Sequence, residues 1–386
     1  MDLPDYSGGS IVNLMASLQA GLSGERNAYA PLRQLSPDQV GQHRQVILWV
    51  IDGLGYDYLL AHSEEAAHLN AALRGHMTSV YPPTTASAIT TFLTGDAPQQ
   101  HGLTGWFVYF RELGSVVSVL PGRTRYGGSC YGAGGIDAAR LLAHRPFADR
   151  IGVESYHLSP AYIADSEFNL AHLGAAVNLS FHSLQELCDK TLEIASQPGR
   201  RYLSLYWPEL DSIGHRDGIW SEQATGHLKQ LDLAFHALCQ GLQGSDTLLV
   251  VCADHGQIDS LPEQRLKLED YPDLHESLML PLCGEPRSAY CYLRSGRESQ
   301  FEEAVSQSMA DLASVYSSST LIEENWFGLG TPHPRLAERI GDRVLLMHQS
   351  ATIGDVMAQE KPFPMIGAHG GLSRQELFVP LITADC

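Results

Sequence analysis

Residues 79–87 read SVYPPTTAS and mark the point where an extended segment gives way to a helix. Each proline lacks an N–H and restricts the residue before it, so a helix cannot run through this pair. The following residues carry apolar side chains at helical spacing, namely Ala86, Ala88, Ile89, Phe92 and Leu93. A threonine hydroxyl at this junction lies at a helix N-terminus, which favours negative charge. Thr84 and Thr85 are therefore candidates for a helix cap or for a group that meets an anion.

Three apolar runs of strand length lie elsewhere in the chain, and acidic residues follow each of them. The runs are VILWVI at 46–51, YLSLY at 202–206 and TLLVVCA at 247–253. Continuous apolar runs are typical of parallel strands that are buried on both faces. Ligands of open α/β sheets lie at the carboxyl ends of such strands. The acidic residues after the three runs are therefore candidates for binding, although each could also cap a helix.

Histidines accompany these acidic residues, and together they form a set typical of a metal site. The set comprises Asp52, Asp211, His215, Asp254, His255 and His369. Asp211 and His215 are four residues apart, which places them on one face of a helix. Glycines flank His369 and let the backbone approach a ligand closely. Mixed carboxylate and imidazole ligands indicate zinc or another first-row metal rather than calcium or magnesium.

Composition and charge exclude several classes of partner. The 386-residue chain has a net charge of −19, which argues against nucleic-acid polymers and anionic membrane surfaces. No apolar run reaches the roughly 18 residues that a membrane span requires. The first residues contain no basic region followed by an apolar core, and the seven cysteines form no CxxC motif. We therefore expect a cytoplasmic protein.

The order of the patterns predicts an α/β core that an insertion interrupts. The regular alternation of strands and helices ends near residue 258 and resumes near residue 366. We predict a catalytic core of residues 1–257 and 366–386 with an inserted cap at 258–365. Within the cap, residues 288–293 alternate like a strand, and residues 298–316 are expected to form a helix.

The ordered motifs resemble the alkaline phosphatase superfamily and, within it, the type I phosphodiesterase/nucleotide pyrophosphatase family. The matching segments are IDG at 51–53, YPPTT at 81–85, TG at 94–95, HG at 101–102, DSIGH at 211–215, ADHG at 253–256 and HGG at 369–371. The resemblance spans residues 46–382, and the cap has diverged. It implies a three-layer α/β/α sandwich with an inserted cap subdomain. The activity that it implies is metal-dependent cleavage of phosphodiester or pyrophosphate bonds.

The same resemblance implies two zinc ions and a threonine nucleophile. One ion is expected to bind Asp52, Asp254, His255 and the oxygen of Thr85. The other is expected to bind Asp211, His215 and His369, while other first-row divalent metals remain possible. The Thr85 hydroxyl then attacks phosphorus and forms a phospho-threonine intermediate.

The chain departs from the family pattern at the position where diesterases usually carry an asparagine that holds a phosphoryl oxygen. That position falls at Trp106, whose indole can donate a hydrogen bond but cannot accept one. Arg123 and Arg125, in a glycine-rich segment that we expect to be a mobile loop, are further candidates for substrate contact. The substrate is expected to be a small phosphate ester.

Two other hypotheses remain open at this point. A phosphomonoesterase or phosphonate hydrolase of the same superfamily would need extra cationic groups, for which the two arginines are candidates. A non-catalytic metal-binding protein with the same fold is the alternative from a different class.

Overall fold

The computed structural model describes residues 2–358, 360 and 365–386. Within these residues the chain forms two seven-stranded sheets, two short two-stranded sheets and helices that pack around them. None of the helices described is both long and apolar enough to cross a bilayer.

The strands are numbered in chain order. They are β1 Gln45–Ile51, β2 Leu73–Thr78, β3 Phe107–Phe110, β4 Ser115–Ser118, β5 Arg123–Thr124, β6 Glu154–Pro160, β7 Val177–Phe181, β8 Arg201–Trp207, β9 Thr247–Cys252, β10 Ile258–Asp259, β11 Arg265–Lys267, β12 Cys283–Glu285, β13 Ser288–Cys291, β14 Ala313–Ser317, β15 Arg343–Met347, β16 Thr352–Gly354, β17 Gly367–Ala368 and β18 Phe378–Asp385.

The α-helices are numbered in the same way. They are α1 Ile11–Ser23, α2 Pro37–Gly41, α3 Tyr56–Ala61, α4 Ala67–Ala71, α5 Thr85–Thr94, α6 Pro98–His101, α7 Ala138–Leu142, α8 Ala148–Ile151, α9 Ala161–Ala164, α10 Glu167–Leu173, α11 Leu184–Ala195, α12 Glu209–Asp217, α13 Glu222–Gly241, α14 Pro272–Ser277, α15 Glu298–Ser308, α16 Ser318–Glu323, α17 Leu336–Arg339 and α18 Arg374–Leu377. Short 3₁₀-helices lie at Gly132–Gly134, Pro262–Gln264 and Leu268–Asp270.

The first sheet has the strand order β2-β18-β9-β1-β8-β6-β7 and contains the three predicted apolar runs at its centre. Strands β9, β1 and β8 are parallel and in register, with Ile51 opposite Trp207 and Val50 opposite Cys252. All seven residues of β1 are buried, so both faces of the sheet are covered. Helices α1 and α5 pack together in one group, and α4, α11 and α12 pack around α13 in another. The predicted α/β fold is confirmed.

The second sheet has the order β14-β15-β13-β12-β3-β4-β5, and all of its pairings are antiparallel. It joins strands from residues 107–124 to strands from residues 283–347. The boundaries that we predicted for the core and the cap remain a prediction. Three strands of this sheet, β3, β4 and β5, lie outside the predicted cap of residues 258–365.

The predicted helix over residues 298–316 was too long. Helix α15 ends at Ser308, and residues 313–317 form the edge strand β14. Val315 pairs with Leu345 of β15 in an antiparallel ladder. Long-range pairing with β15 therefore determines the structure of this segment.

A buried ion pair connects the second sheet to the loop that carries His369. Arg287 follows β12 and makes a two-point contact with Glu376 of α18, at 3.0 Å (Nε–Oε1) and 2.8 Å (Nη2–Oε2). The Glu376 carboxylate also accepts the Gly371 N–H at 2.7 Å. Its backbone carbonyl accepts the Gly256 N–H at 2.9 Å. Both partners are almost fully buried, so this contact fixes the second sheet against two loops of the site.

Candidate functional site

The parallel strands of the first sheet bring the predicted residues to one edge. Asp52 follows β1 directly, and Asp254 and His255 follow β9. Asp211 and His215 lie on α12, which begins shortly after β8. His369 follows β17, which pairs with β10 just beyond β9. Because β9, β1 and β8 are neighbours in register, their carboxyl ends lie side by side.

Asp52, Asp254, His255 and Thr85 form the first group, which is buried. His255 Nε2 lies 3.3 Å from Asp52 Oδ1 and 3.4 Å from Asp254 Oδ2. The Thr85 hydroxyl oxygen lies 3.1 Å from the same nitrogen and 3.5 Å from Asp52 Oδ2. Four potential ligand atoms therefore converge on one small volume.

The hydrogen bonds around the first group fit a bound cation. His255 Nδ1 lies 3.1 Å from the Gly256 carbonyl, which places the proton on Nδ1 and leaves a lone pair on Nε2. Asp52 Oδ1 and Asp254 Oδ2 are buried and have no hydrogen-bond partner among the described residues. Two unpartnered carboxylate oxygens facing an imidazole lone pair repel one another unless a cation or a proton lies between them. The donor set of two carboxylates, one imidazole and one hydroxyl is one that zinc accepts.

Other contacts hold the first group in place. The Tyr206 hydroxyl donates to Asp52 Oδ2 at 2.5 Å. Asp254 Oδ1 accepts the backbone N–H of Gly53 at 3.2 Å and of His255 at 2.9 Å. Burial raises the pKa of both Asp52 and Asp254, and for Asp52 the nearby charges of Asp254 and Asp211 raise it further. Both carboxyl groups therefore resist ionisation, and a bound cation would favour their ionised forms.

Asp211, His215 and His369 form the second group, which is more accessible. His215 Nε2 lies 3.2 Å from Asp211 Oδ2 and 3.3 Å from His369 Nε2, while His369 Nε2 lies 3.9 Å from Asp211 Oδ1. His215 Nδ1–H donates to the Gly367 carbonyl at 2.7 Å, so its Nε2 faces the other two side chains. Gln257 Nε2 donates to Asp211 Oδ1 and fixes this carboxylate.

The protonation of the second group differs from that of the first. Burial alone would raise the pKa of Asp211, but the neighbouring His215 and His369 outweigh it and hold that pKa below its ordinary value. Burial would lower the pKa of His215, but Asp211 and the Gly367 carbonyl raise it to about 9. Burial and the nearby His255 lower the pKa of His369. In the metal-free protein, Asp211 and His215 therefore form an ion pair.

The two groups adjoin each other. The rings of His255 and His369 stack with centroids 3.8 Å apart. Ligand atoms of Asp52, Asp254 and His255 lie within 4.8 Å of one another, and the same holds for Asp211, His255 and His369. Either cluster could hold a metal ion, and the roles that we predicted for the individual residues stay predictions.

Helix α5 begins at Thr85, and Thr84 is the residue that precedes it. Thr84 has an extended backbone and makes no side-chain capping hydrogen bond. Its hydroxyl instead donates to Glu285 Oε1 at 2.6 Å. The two threonines therefore face different surroundings, because only Thr85 contacts the first group.

The three predicted substrate residues lie in different environments. Trp106 is partly exposed, and its backbone N–H donates to Glu285 Oε1 at 2.6 Å. Arg123 is exposed on the short edge strand β5.

Arg125, which we expected to contact substrate from a mobile loop, is instead buried and paired. It contacts Asp355 at 2.6 Å and Glu360 at 2.8 Å, donates to the Leu282 carbonyl, and stacks on Phe107. Its guanidinium is thus fully engaged within the protein, and we assign it a structural role.

Three residues around the site were not identified from the sequence. Tyr206 and Gln257 hold one aspartate of each group, and Glu285 contacts both Thr84 and Trp106. Tyr206 and Gln257 lie close in sequence to predicted ligands, which is a usable signal. Glu285 lies in the second sheet, and its sequence neighbourhood carries no such signal.

Comparisons with known proteins bear on the family to which the chain belongs. Residues 46–371 match the family model described as type I phosphodiesterase/nucleotide pyrophosphatase. No curated relative matches the sequence.

Among solved structures, the chain is similar to ectonucleotide pyrophosphatase/phosphodiesterase 5. The mouse protein has a TM-score of 0.63, and its inactive threonine-to-alanine variant in complex with AMP has 0.64; both are 18% identical, and 87% of each chain is covered. The human protein has a TM-score of 0.64 at 18% identity, covering 88% of this chain and 87% of that one. At this identity the likeness concerns the fold. With the family match over most of its length, the chain belongs to the type I phosphodiesterase/nucleotide pyrophosphatase family of the alkaline phosphatase superfamily.

Proposed function

We propose that the protein is a zinc-dependent hydrolase that cleaves a small phosphodiester or pyrophosphate through a covalent intermediate on Thr85. The observation that carries this proposal is the first group. Two buried, unpartnered carboxylate oxygens face the lone pair of His255 Nε2, and the Thr85 hydroxyl oxygen lies 3.1 Å from that nitrogen.

Each group would supply the ligands for one ion. Asp52, Asp254, His255 and the Thr85 oxygen would hold the first, and Asp211, His215 and His369 would hold the second. When bound, such ions lower the pKa of a nucleophilic hydroxyl and stabilise charge on the attacking and leaving oxygens. They would also supply the positive charge that a chain of net charge −19 needs to attract an anion.

The chain's own residues position the nucleophile. Thr85 is the first residue of α5, so its hydroxyl lies beside free backbone N–H groups that favour an anionic phosphoryl group. In the first step Oγ1 of Thr85 bonds to phosphorus, and the bond from phosphorus to the leaving oxygen breaks. In the second step a water oxygen bonds to phosphorus, the Thr85 ester bond breaks, and Thr85 is restored.

The cationic residues of the protein favour a diester substrate over a monoester substrate. A monoester carries a second negative charge, and the cationic candidates for it were Arg123 and Arg125. The Arg125 guanidinium is already engaged by Asp355 and Glu360, and Arg123 lies on an exposed edge strand. The complex of the mouse relative's inactive variant with AMP suggests a substrate with a nucleotide as one candidate.

The test is hydrolysis of bis-(p-nitrophenyl) phosphate by protein stripped of metal and then reloaded with zinc. We expect activity only after reloading, with two zinc ions per chain. Thr90→Ala is a matched control for the substitution of Thr85 by alanine. Thr90 lies on the same helix, but its hydroxyl donates a hydrogen bond to the Ala86 carbonyl. Full diesterase activity in metal-free protein would refute the proposal.

A further inference from the structure

Glu285 is a buried carboxyl group that the proposed chemistry does not use. It is the last residue of β12, and only 6% of it is exposed. Its Oε1 accepts the Thr84 hydroxyl and the Trp106 N–H, both at 2.6 Å. These donors come from the residue before the proposed nucleophile and from the residue that precedes β3.

A third contact places Glu285 against the second group of ligands. Gly370 follows His369 and has a φ of +102°, and a Cβ at this position would lie 2.7 Å from the Cβ of Glu285. The Glu285 side chain therefore occupies the space that a side chain at position 370 would need. It lies between three loops, which carry Thr84, Trp106 and His369. These loops border the proposed phosphoryl site.

No ion pair neutralises Glu285 among the described residues, although the nearby His215 lowers its pKa. Both of its hydrogen bonds use Oε1, and it forms no ion pair with an arginine, lysine or histidine in that part of the chain. The nearby arginines are engaged elsewhere, Arg287 by Glu376 and Arg125 by Asp355 and Glu360. Asp211 and His215 each shift the pKa of Glu285, so its charge also acts on a group bound beside them, at a depth where water screens it weakly.

We propose that Glu285 is a specificity-determining residue whose negative charge disfavours phosphoryl groups that carry two negative charges. The proposal rests on the function proposed above. A singly charged diester tolerates this carboxylate, whereas a dianionic monoester is repelled more strongly at the same distance. A carboxylate that accepts the Trp106 backbone N–H would thus select the substrate by its charge.

Glu285→Gln isolates the charge. The amide carbonyl of glutamine can accept the same two hydrogen bonds from Thr84 and Trp106, so the loops keep their positions. Burial raises the pKa of Glu285 to about 7, and assays at pH 8.5 therefore compare an ionised carboxylate with a neutral amide. We expect the ratio of kcat/KM for p-nitrophenyl phosphate to that for bis-(p-nitrophenyl) phosphate to rise about tenfold in the zinc-loaded variant.

Inhibition by inorganic phosphate gives a second measurement, which would not change if Glu285 had a purely structural role. The dianion should inhibit the variant at roughly tenfold lower concentration than the wild type. Glu338→Gln is a matched control, since Glu338 also accepts hydrogen bonds but pairs with Arg111 and Arg335 away from the site. It should leave the ratio and the phosphate inhibition unchanged.

The possible outcomes separate this proposal from the proposed function. An unchanged substrate ratio and unchanged phosphate inhibition in Glu285→Gln, with wild-type thermal stability, would overturn the charge-selection role while wild-type diesterase activity stands. Equal losses for both substrates would also overturn it, because they would indicate positioning alone. Absence of diesterase activity in the zinc-loaded wild type would instead refute the proposed function.

Discussion

The two groups of candidate ligands meet at one sheet edge but differ in how they are stabilised without metal. In the first group, burial raises the pKa of Asp52 and Asp254, and two carboxylate oxygens lack a partner among the described residues. In the second group, Asp211 and His215 neutralise each other as an ion pair. A cation must therefore displace protons in both groups, from carboxyl groups whose pKa is raised in the first and from the His215 imidazole in the second. This difference predicts distinct roles that mutation can separate.

The largest expected effect comes from Thr85, which contacts only the first group. Thr85→Ala should lower kcat by roughly 10³-fold or more, because no oxygen remains to form the intermediate. Thr85→Ser should retain part of the activity. Thr84→Ala should cost far less, since the Thr84 hydroxyl bonds to Glu285 rather than to the first group. Steady-state kinetics and mass spectrometry of a trapped phosphopeptide test this, and a label on Thr84 would contradict it.

Removing one ligand from each group should separate the two metals. The Asp254→Ala variant should lose the ion of the first group, and the His369→Ala variant should lose the ion of the second group. Each substitution should lower kcat/KM by roughly 10²-fold or more. Elemental analysis should find about one zinc per chain in each variant. If either variant kept two ions and full turnover, the assignment of ligands to groups would be wrong.

The residues that hold each aspartate should have smaller effects. Tyr206→Phe removes the hydrogen bond to Asp52, and Gln257→Met removes the one to Asp211. Each should lower zinc affinity or activity by roughly 10–100-fold, the usual range for groups that orient a ligand. Competition with a chromogenic chelator measures the affinities. Loss of the same ion in both variants would contradict the comparison.

Proton release from an imidazole should mark the second group, by about tenfold for a change of one pH unit. The pKa of His215 is raised to about 9, so its proton is favoured below that pH and must leave before Nε2 can bind metal. Zinc affinity of the second group should therefore fall about tenfold per pH unit as the pH is lowered from 9 towards 6.5. Calorimetry in buffers of different ionisation enthalpy would count the released proton.

Binding of the second ion without release of a proton below pH 9 would contradict this assignment.

The first sheet and its strand-end residues could be predicted because their signals are local. An apolar run followed by Asp52, or by Asp254 and His255, combines a buried strand with a polar end, and parallel strands bring such ends together. Helix α13 likewise buries Leu228, Leu231, Phe235 and Leu238, which recur at helical spacing in the sequence.

The remaining features depend on contacts between segments far apart in sequence. Glu285 reaches Thr84 across 201 positions and Trp106 across 179, and neither contact leaves a periodic pattern. Arg125 was expected to be available for substrate because its segment is rich in glycine. Its partners Asp355 and Glu360 lie more than 200 positions away and could not be identified from that segment.

The ion pair of Arg287 and Glu376 limits how the second sheet can be exchanged between relatives. A transplanted sheet without a cation at position 287 would leave the Glu376 carboxylate buried and uncompensated, which costs about 3–5 kcal/mol for a pair of this kind. Glu376 also bonds to the backbone at Gly371 and Gly256, so the loss would reach the loops of both ligand groups. Engineered chimaeras of this fold should therefore transfer Arg287 and Glu376 together as one unit.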